Sequence, residues 1–179
     1  MVITPLFISC LYAFAIKVEN TRAWINKSIE TQSKKGNEYM GLKVLILCTG
    51  NSARSQMAEG LLRQNGGLNY EVYSAGIEPS FVKPEAITVM QEIGIDISGH
   101  RSKSVDEFPR QEFDYVITVC DNAKEHCPIF PGQAKRLHWS FDDPATVEGD
   151  EATRLAVFAR VRDSIEEKLN SFIAENHPA

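Results

Sequence analysis

No stretch of this chain restricts its fold more than residues 42–64. An apolar run, 42–47, leads into Cys48-Thr49-Gly50-Asn51-Ser52-Ala53-Arg54-Ser55, and an amphipathic run follows to Gln64. The short apolar run reads as a buried strand, and Gln56-Met57-Ala58-Glu59-Gly60-Leu61-Leu62 reads as a helix. The residues between them therefore form a strand-to-helix turn. Backbone N–H groups of such a turn can converge on an oxyanion, and the helix N-terminus adds partial positive charge. A cysteine facing that field is expected to lose its proton easily, because the field stabilises the thiolate. Arg54 presents a planar fork able to bind two oxygens of a tetrahedral anion at once. Ser55 can donate a hydrogen bond to the thiolate. The candidate anion site is thus Thr49, Gly50, Asn51, Ser52, Ala53, Arg54 and Ser55 around a nucleophile, Cys48. A buried structural cysteine beside a surface arginine would show the same short pattern. Placement after a strand, with small residues inside the turn, favours chemistry.

The rest of the chain alternates in the same way. Strands are predicted at 43–47, 71–74, 115–119 and 135–138, and helices at 55–64, 84–93 and 151–172. In the last helix Leu155, Phe158, Ala159, Val161, Ile165, Leu169 and Phe172 recur at near-helical spacing. Pro84 suits the first turn of its helix. Alternation of this kind implies an α/β fold, a parallel sheet with helices on both faces.

Four cysteines are present, Cys10, Cys48, Cys120 and Cys127. Nothing around them reads as a secreted disulfide framework. Cys120 ends the apolar strand at 115–119, and strand C-termini of a parallel sheet share the edge on which the Cys48 turn lies. Cys120 can therefore sit near Cys48. Read as a helix, the following segment carries Cys127 about two turns further along. That separation is too large for a disulfide, which needs Cα atoms within about 7 Å, so joining the two thiols requires the segment to unwind. Asp121, Asn122, Lys124 and Glu125 are polar, and Pro128 stops the helix. Two unrelated thiols remain an alternative. A zinc site of Cys120, His126 and Cys127 lacks the paired ligand spacing of structural zinc sites.

The turn resembles the active-site loop of low-molecular-weight protein tyrosine phosphatases and of the arsenate reductases that share their fold. Ser74-Ala75-Gly76, then Cys120…Cys127-Pro128, then His138-Trp139-Ser140-Phe141-Asp142-Asp143-Pro144-Ala145 extend the resemblance to the thioredoxin-coupled arsenate reductases. It covers about Met40 to the C-terminus, and the cysteine trio is its most specific part. It implies a three-layer, low-molecular-weight phosphatase-like fold with a four-stranded parallel sheet flanked by helices. It also implies a chemistry. Cys48 attacks arsenate held by Arg54 and the loop amides, Asp143 donates a proton to the leaving group, Cys120 attacks Cys48, and Cys127 attacks Cys120 to leave a disulfide that thioredoxin reduces. On the residues alone, Asp142-Asp143-Pro144 reads equally as a surface turn, with Asp142 second choice as the acid. The alternative function is a phosphatase acting on phosphotyrosine or a small phosphomonoester, for which Cys120 and Cys127 are not needed. A non-enzymatic redox or anion sensor is a third reading.

Some members of the family hold a potassium ion with residues matching Asn51, Glu59 and Ser74. Their fourth ligand, an aspartate, is Lys103 here. A lysine ammonium can take the cation's place and pair with Glu59, which implies activity independent of potassium; a solvated surface lysine is the alternative. Asn51 either braces the turn with its amide or supplies a left-handed residue. No bound cofactor and no metal are expected, and the resemblance implies thioredoxin as external reductant. Where the family loop often has a further cysteine, this chain has Ala53. His126 and His138 read as structural or solvated, and Phe81, Phe108, Phe113 and Trp139 as core or pocket-lining.

The formal net charge of −5 argues against nucleic-acid binding, so an anionic substrate must be held by a local field. Residues 1–39 differ from the rest. Met1 to Ile16 is mostly apolar but short for a membrane span, and no positive n-region precedes it. These residues read as a non-catalytic extension, with Cys10 outside the relay and the enzyme domain occupying 40–179; a membrane-associating leader is the alternative. A cytoplasmic monomer without stable membrane association is expected.

Overall fold

The computed structural model describes residues 41–176. The expectations for residues 1–39 and for Cys10 lie outside that range. Four strands form one fully parallel sheet in the order β2-β1-β3-β4: β1 (Leu42–Cys48), β2 (Tyr70–Gly76), β3 (Tyr115–Thr118) and β4 (Lys135–His138). Helices α1 (Arg54–Gly66), α2 (Pro84–Glu92), α3 (Asp121–Glu125) and α4 (Glu151–Glu175) flank it. β1 is central, with Val44, Leu45, Ile46 and Leu47 wholly buried, so both of its faces are covered. That is why its sequence is a continuous apolar run rather than an alternating one.

From β1 the chain crosses to β2 on one side and later returns to β3 on the other. The C-terminal end of β1 is therefore a topological switch point, where α/β sheets open a crevice for ligands. The residues after Cys48 lie there.

The predicted elements hold to within a few residues. Pro84 occupies the first turn of α2, and Asp150 caps α4 by accepting from the Thr153 N–H at 2.8 Å. Phe158, Val161, Ile165, Leu169 and Phe172 form the buried stripe of α4, while Leu155 and Ala159 are partly buried at its margin. α4 runs past the predicted end at 172, because Ile173 still packs on the core and Asn176 closes the helix by donating to Phe172 O and Ile173 O.

Two expectations are corrected. The segment after Cys120 is helical for only five residues and ends at Glu125, before Cys127 and Pro128. Phe81 is 59% exposed, beneath the Lys83 ammonium at 4.6 Å from the ring centre, and is not core. Trp139, Phe108 and Phe113 do pack on the core, with Phe113 edge-on to Phe130 and Trp139 edge-on to Phe172.

Candidate active site

The turn between β1 and α1 is held from outside by its own carbonyl groups. Thr49 O accepts from Glu78 N at 2.9 Å, Gly50 O from Ser80 N at 3.0 Å and from the Ser102 hydroxyl at 2.9 Å, and Ser52 O from Lys83 N at 2.8 Å. In a trans peptide the C=O and the next N–H point in opposite directions. Outward carbonyls at Thr49, Gly50 and Ser52 therefore turn the N–H groups of Gly50, Asn51 and Ala53 inward. The Asn51 N–H meets Cys48 Sγ at 3.1 Å. Ala53, at the N-cap of α1, makes no side-chain cap. The N-cap side chain thus consumes none of the orphan donors of the first helical turn, as an anion cradle requires.

Asn51 serves both of the roles that its sequence context allowed. Its φ is +44°, in the left-handed region. Its fully buried amide donates to Ser55 Oγ at 2.9 Å and Ser74 Oγ at 2.8 Å, and accepts from Gln56 Nε2 at 2.9 Å and Lys103 N at 2.8 Å. All four of its side-chain bonds are made. Since Ser55 Oγ accepts from Asn51, its own proton is free to point at Cys48 Sγ, 2.9 Å away. The bracing of the turn thereby orients the hydrogen bond that a Cys48 thiolate would receive.

The direction in which the Cys48 thiol is shifted departs from expectation. The side chain is 3% exposed, and burial pushes its thiol up. Hydrogen bonds from the Ser55 hydroxyl and backbone pull the other way, Cys120 adds to the rise, and Arg54 opposes it. Position in the turn does not by itself overcome removal of the sulfur from water. Arg54 contributes least of these, and its fork donates to Asp143 Oδ2 at 2.7 Å and to Phe141 O at 3.0 Å. This ion pair brings Asp143 to the rim of the turn, 89 residues away in sequence. Asp142 has no such link. Asp143 also caps the short 3-10 turn Pro144–Thr146 through Ala145 N, so the surface-turn reading holds alongside the placement at the site.

Cys120 follows β3 on the same sheet edge and is buried. Its Sγ lies 3.4 Å from Thr49 Oγ1, which in turn accepts from Asn122 Nδ2 at 3.0 Å. The Thr49 proton is therefore available to the Cys120 sulfur. Cys127 is half-buried, and burial pushes its thiol up against the opposing charge of Arg136. Cys48, Cys120 and Cys127 are all free thiols.

Behind the turn, Glu59 is 2% exposed. Arg63 reaches one of its oxygens at 2.6 Å; Lys103 Nζ at 3.3 Å and the Ser74 hydroxyl reach the other. Lys103 Nζ also donates to Arg101 O at 3.3 Å. A cation position beside Glu59 is thus taken by an ammonium, and this donor set does not fit a potassium ion. Among the described residues, no group of three or more His, Cys, Asp or Glu side chains is arranged to hold a metal.

Sequence reasoning missed Gln56, Ser102 and the role of Gly76. A Cβ on Gly76 would lie 2.6 Å from Thr49 O and 2.8 Å from Asn51 N. Its place at the end of a strand, just after Ser74-Ala75, was the available signal. Gly76→Ala is expected to displace the turn, lowering stability by about 1–3 kcal/mol in urea unfolding and weakening inorganic phosphate binding by at least about tenfold in calorimetry.

Residues 43–177 match the family model described as low molecular weight phosphotyrosine protein phosphatase, and the chain belongs to that family. Among curated relatives it is 48% identical over 134 residues to an arsenate reductase of Halalkalibacterium halodurans, covering 74% of this chain and 96% of that one. A solved structure of an arsenate reductase in the phosphate binding state superposes with a TM-score of 0.62 at 35% identity, covering 75% of this chain and 98% of that one. A thioredoxin-dependent arsenate reductase of Corynebacterium glutamicum superposes at 0.54 with 27% identity, over 76% of this chain and 64% of that one. The fold and the family inferred from the sequence are thereby established.

Proposed function

We propose that this chain reduces arsenate to arsenite through a relay of Cys48, Cys120 and Cys127 that thioredoxin resets. The observation that carries the proposal is the pair of further thiols: a free Cys120 thiol hydrogen-bonded to the anion turn through Thr49, and a second free thiol, Cys127, just beyond the short helix that follows it. Hydrolysis of a phosphate ester needs neither. The names of the relatives support the substrate, and the Corynebacterium protein supports the reductant.

The inward N–H groups and Arg54 hold the arsenate oxygens while the Cys48 thiolate attacks arsenic. Arg54 must exchange Asp143 for the anion, and Asp143, once protonated and released, donates to the departing oxygen. Cys120 then attacks Cys48 Sγ. The sulfur–arsenic electron pair stays on arsenic, arsenite leaves, and a Cys48–Cys120 disulfide forms. Cys127 attacks Cys120, freeing Cys48 and leaving a disulfide for thioredoxin. The catalytic unit is residues 40–179, acting as a monomer in the cytoplasm without a bound cofactor; the family match over 43–177 supports that boundary. Among the described residues no helix is long and apolar enough to cross a membrane.

The test is arsenate-dependent NADPH oxidation with purified thioredoxin and thioredoxin reductase. Steady consumption requiring both arsenate and this chain is expected. No consumption, together with good hydrolysis of an aryl phosphate, would establish the phosphatase reading instead. The Lys103–Glu59 pair gives a second expected result in the same assay. Exchanging sodium for potassium at constant ionic strength changes kcat/KM by less than about twofold, because the ammonium already neutralises Glu59. Strong potassium activation of the wild type would refute this.

A further inference from the structure

Outside the anion turn, reactive and titratable side chains concentrate where α3 meets the C-terminal ends of β3 and β4. His138, the last residue of β4, spans this place. Its Nε2 lies 2.9 Å from Asp121 Oδ1, and its Nδ1 lies 2.8 Å from Thr118 Oγ1. A carboxylate only accepts, so Nε2 carries the proton and donates to Asp121. Nδ1 faces the Thr118 hydroxyl, so both ring nitrogens are engaged. Thr118 and His138 are register partners on neighbouring strands. The ring is thus anchored to the sheet, and Asp121, the first residue of α3 and the neighbour of Cys120, is the end free to move. The Asp121 side chain is 73% exposed. Cys127 and His138 line the same cavity of about 210 Å³, together with Thr118 and Lys124.

We infer that the His138–Asp121 bridge is a latch on the redox segment, holding α3 folded while Cys120 attacks Cys48 and opening to admit Cys127 to Cys120. The inference rests on the three-thiol reading above. Cys120 and Cys127 flank α3, and Asp121 begins its first turn, so the bridge fastens the segment that separates the two thiols. The step balances within the chain. The Cys127 proton passes to solvent, its thiolate forms a bond to Cys120 Sγ, the Cys48–Cys120 bond breaks, and Cys48 leaves as thiolate. The cavity that Cys127 shares with His138 supplies room for the approach. His138 is a positioning residue: it acts on the segment through Asp121 and not on the reacting sulfurs.

Rapid-quench single turnovers with arsenate, followed by thiol alkylation and mass-spectrometric disulfide mapping, measure the two exchanges separately. Loss of one exposed hydrogen bond of this kind shifts an equilibrium about threefold to fivefold. In His138→Ala the Cys120–Cys127 disulfide should form faster from the Cys48–Cys120 intermediate by that factor, with no acceleration of Cys48–Cys120 formation. His138→Gln, whose amide can still donate to Asp121, should return the second exchange to within about twofold of wild type. Asp121→Ala leaves the sheet and His138 in place and should accelerate the second exchange as His138→Ala does, so a folding defect in one variant does not decide the outcome. An unchanged or slower second exchange in an alanine variant that keeps the wild-type circular dichroism, or acceleration in only one of the two when both keep it, overturns the latch. Cys127→Ser run in parallel separates the levels. If it fails to accumulate Cys48–Cys120, the relay falls and the latch with it; if it accumulates that disulfide, the His138 and Asp121 variants test the latch alone.

Discussion

Cys127→Ser should reduce about one arsenate per chain and then stop, with Cys48 and Cys120 joined in a disulfide. The reason lies in where the oxidising equivalents end. Cys120 is 6% exposed, so a Cys48–Cys120 disulfide is shielded from a protein reductant. In the proposed relay, transfer to the half-buried Cys127 is what brings one of the paired sulfurs within reach of thioredoxin. Sustained turnover should therefore fall by at least about a hundredfold while the first turnover survives. Peptide mapping of the stalled protein should recover Cys48 linked to Cys120. Wild-type steady-state rates with thioredoxin in this variant would remove Cys127 from the scheme.

Cys48→Ser has the larger effect, abolishing the first turnover as well. A serine hydroxyl is a far weaker nucleophile than a thiolate and cannot carry the two-electron exchange with Cys120, so activity should drop at least about 10⁴-fold. The anion cradle should survive, because its inward N–H groups and Arg54 do not depend on the sulfur. Calorimetry should thus show inorganic phosphate still bound, and Cys120 and Cys127 should both stay reduced after incubation with arsenate. Arsenate-driven oxidation of Cys120 in this variant would mean that another thiol starts the reaction.

The elements of the fold were legible because each carries a local signal. The apolar run of β1, Pro84 at the start of α2, and the stripe of Phe158, Val161, Ile165 and Leu169 on α4 depend on neighbours close in sequence. Their ends were less legible. β2 extends to Gly76 because Cys48 pairs with it in register, and that pairing belongs to the partner strand. The five-residue length of α3 was not visible either, since its polar composition permits a longer helix as readily as a short one.

At the site, residue types alone singled out Cys48, Arg54, Cys120 and Cys127 as candidates, because their chemistry is intrinsic to the side chains and their spacing. The sequence also determined that β1, the turn and α1 follow one another without a break, which puts Cys48 at a strand end beneath a helix N-terminus. Only the tertiary structure decided which donors meet which acceptors. Arg54 turns to Asp143 across 89 residues, Asn51 is wired to Ser55, Ser74, Gln56 and Lys103, and Lys103 lies against Glu59. It also reversed the expected direction for Cys48, whose burial outweighs its hydrogen bonds. The physical reason is common to all of these. A side chain's capacity to donate, accept or ionise is written in its identity, whereas its partners and its distance from water are set by segments that meet only when the sheet has formed.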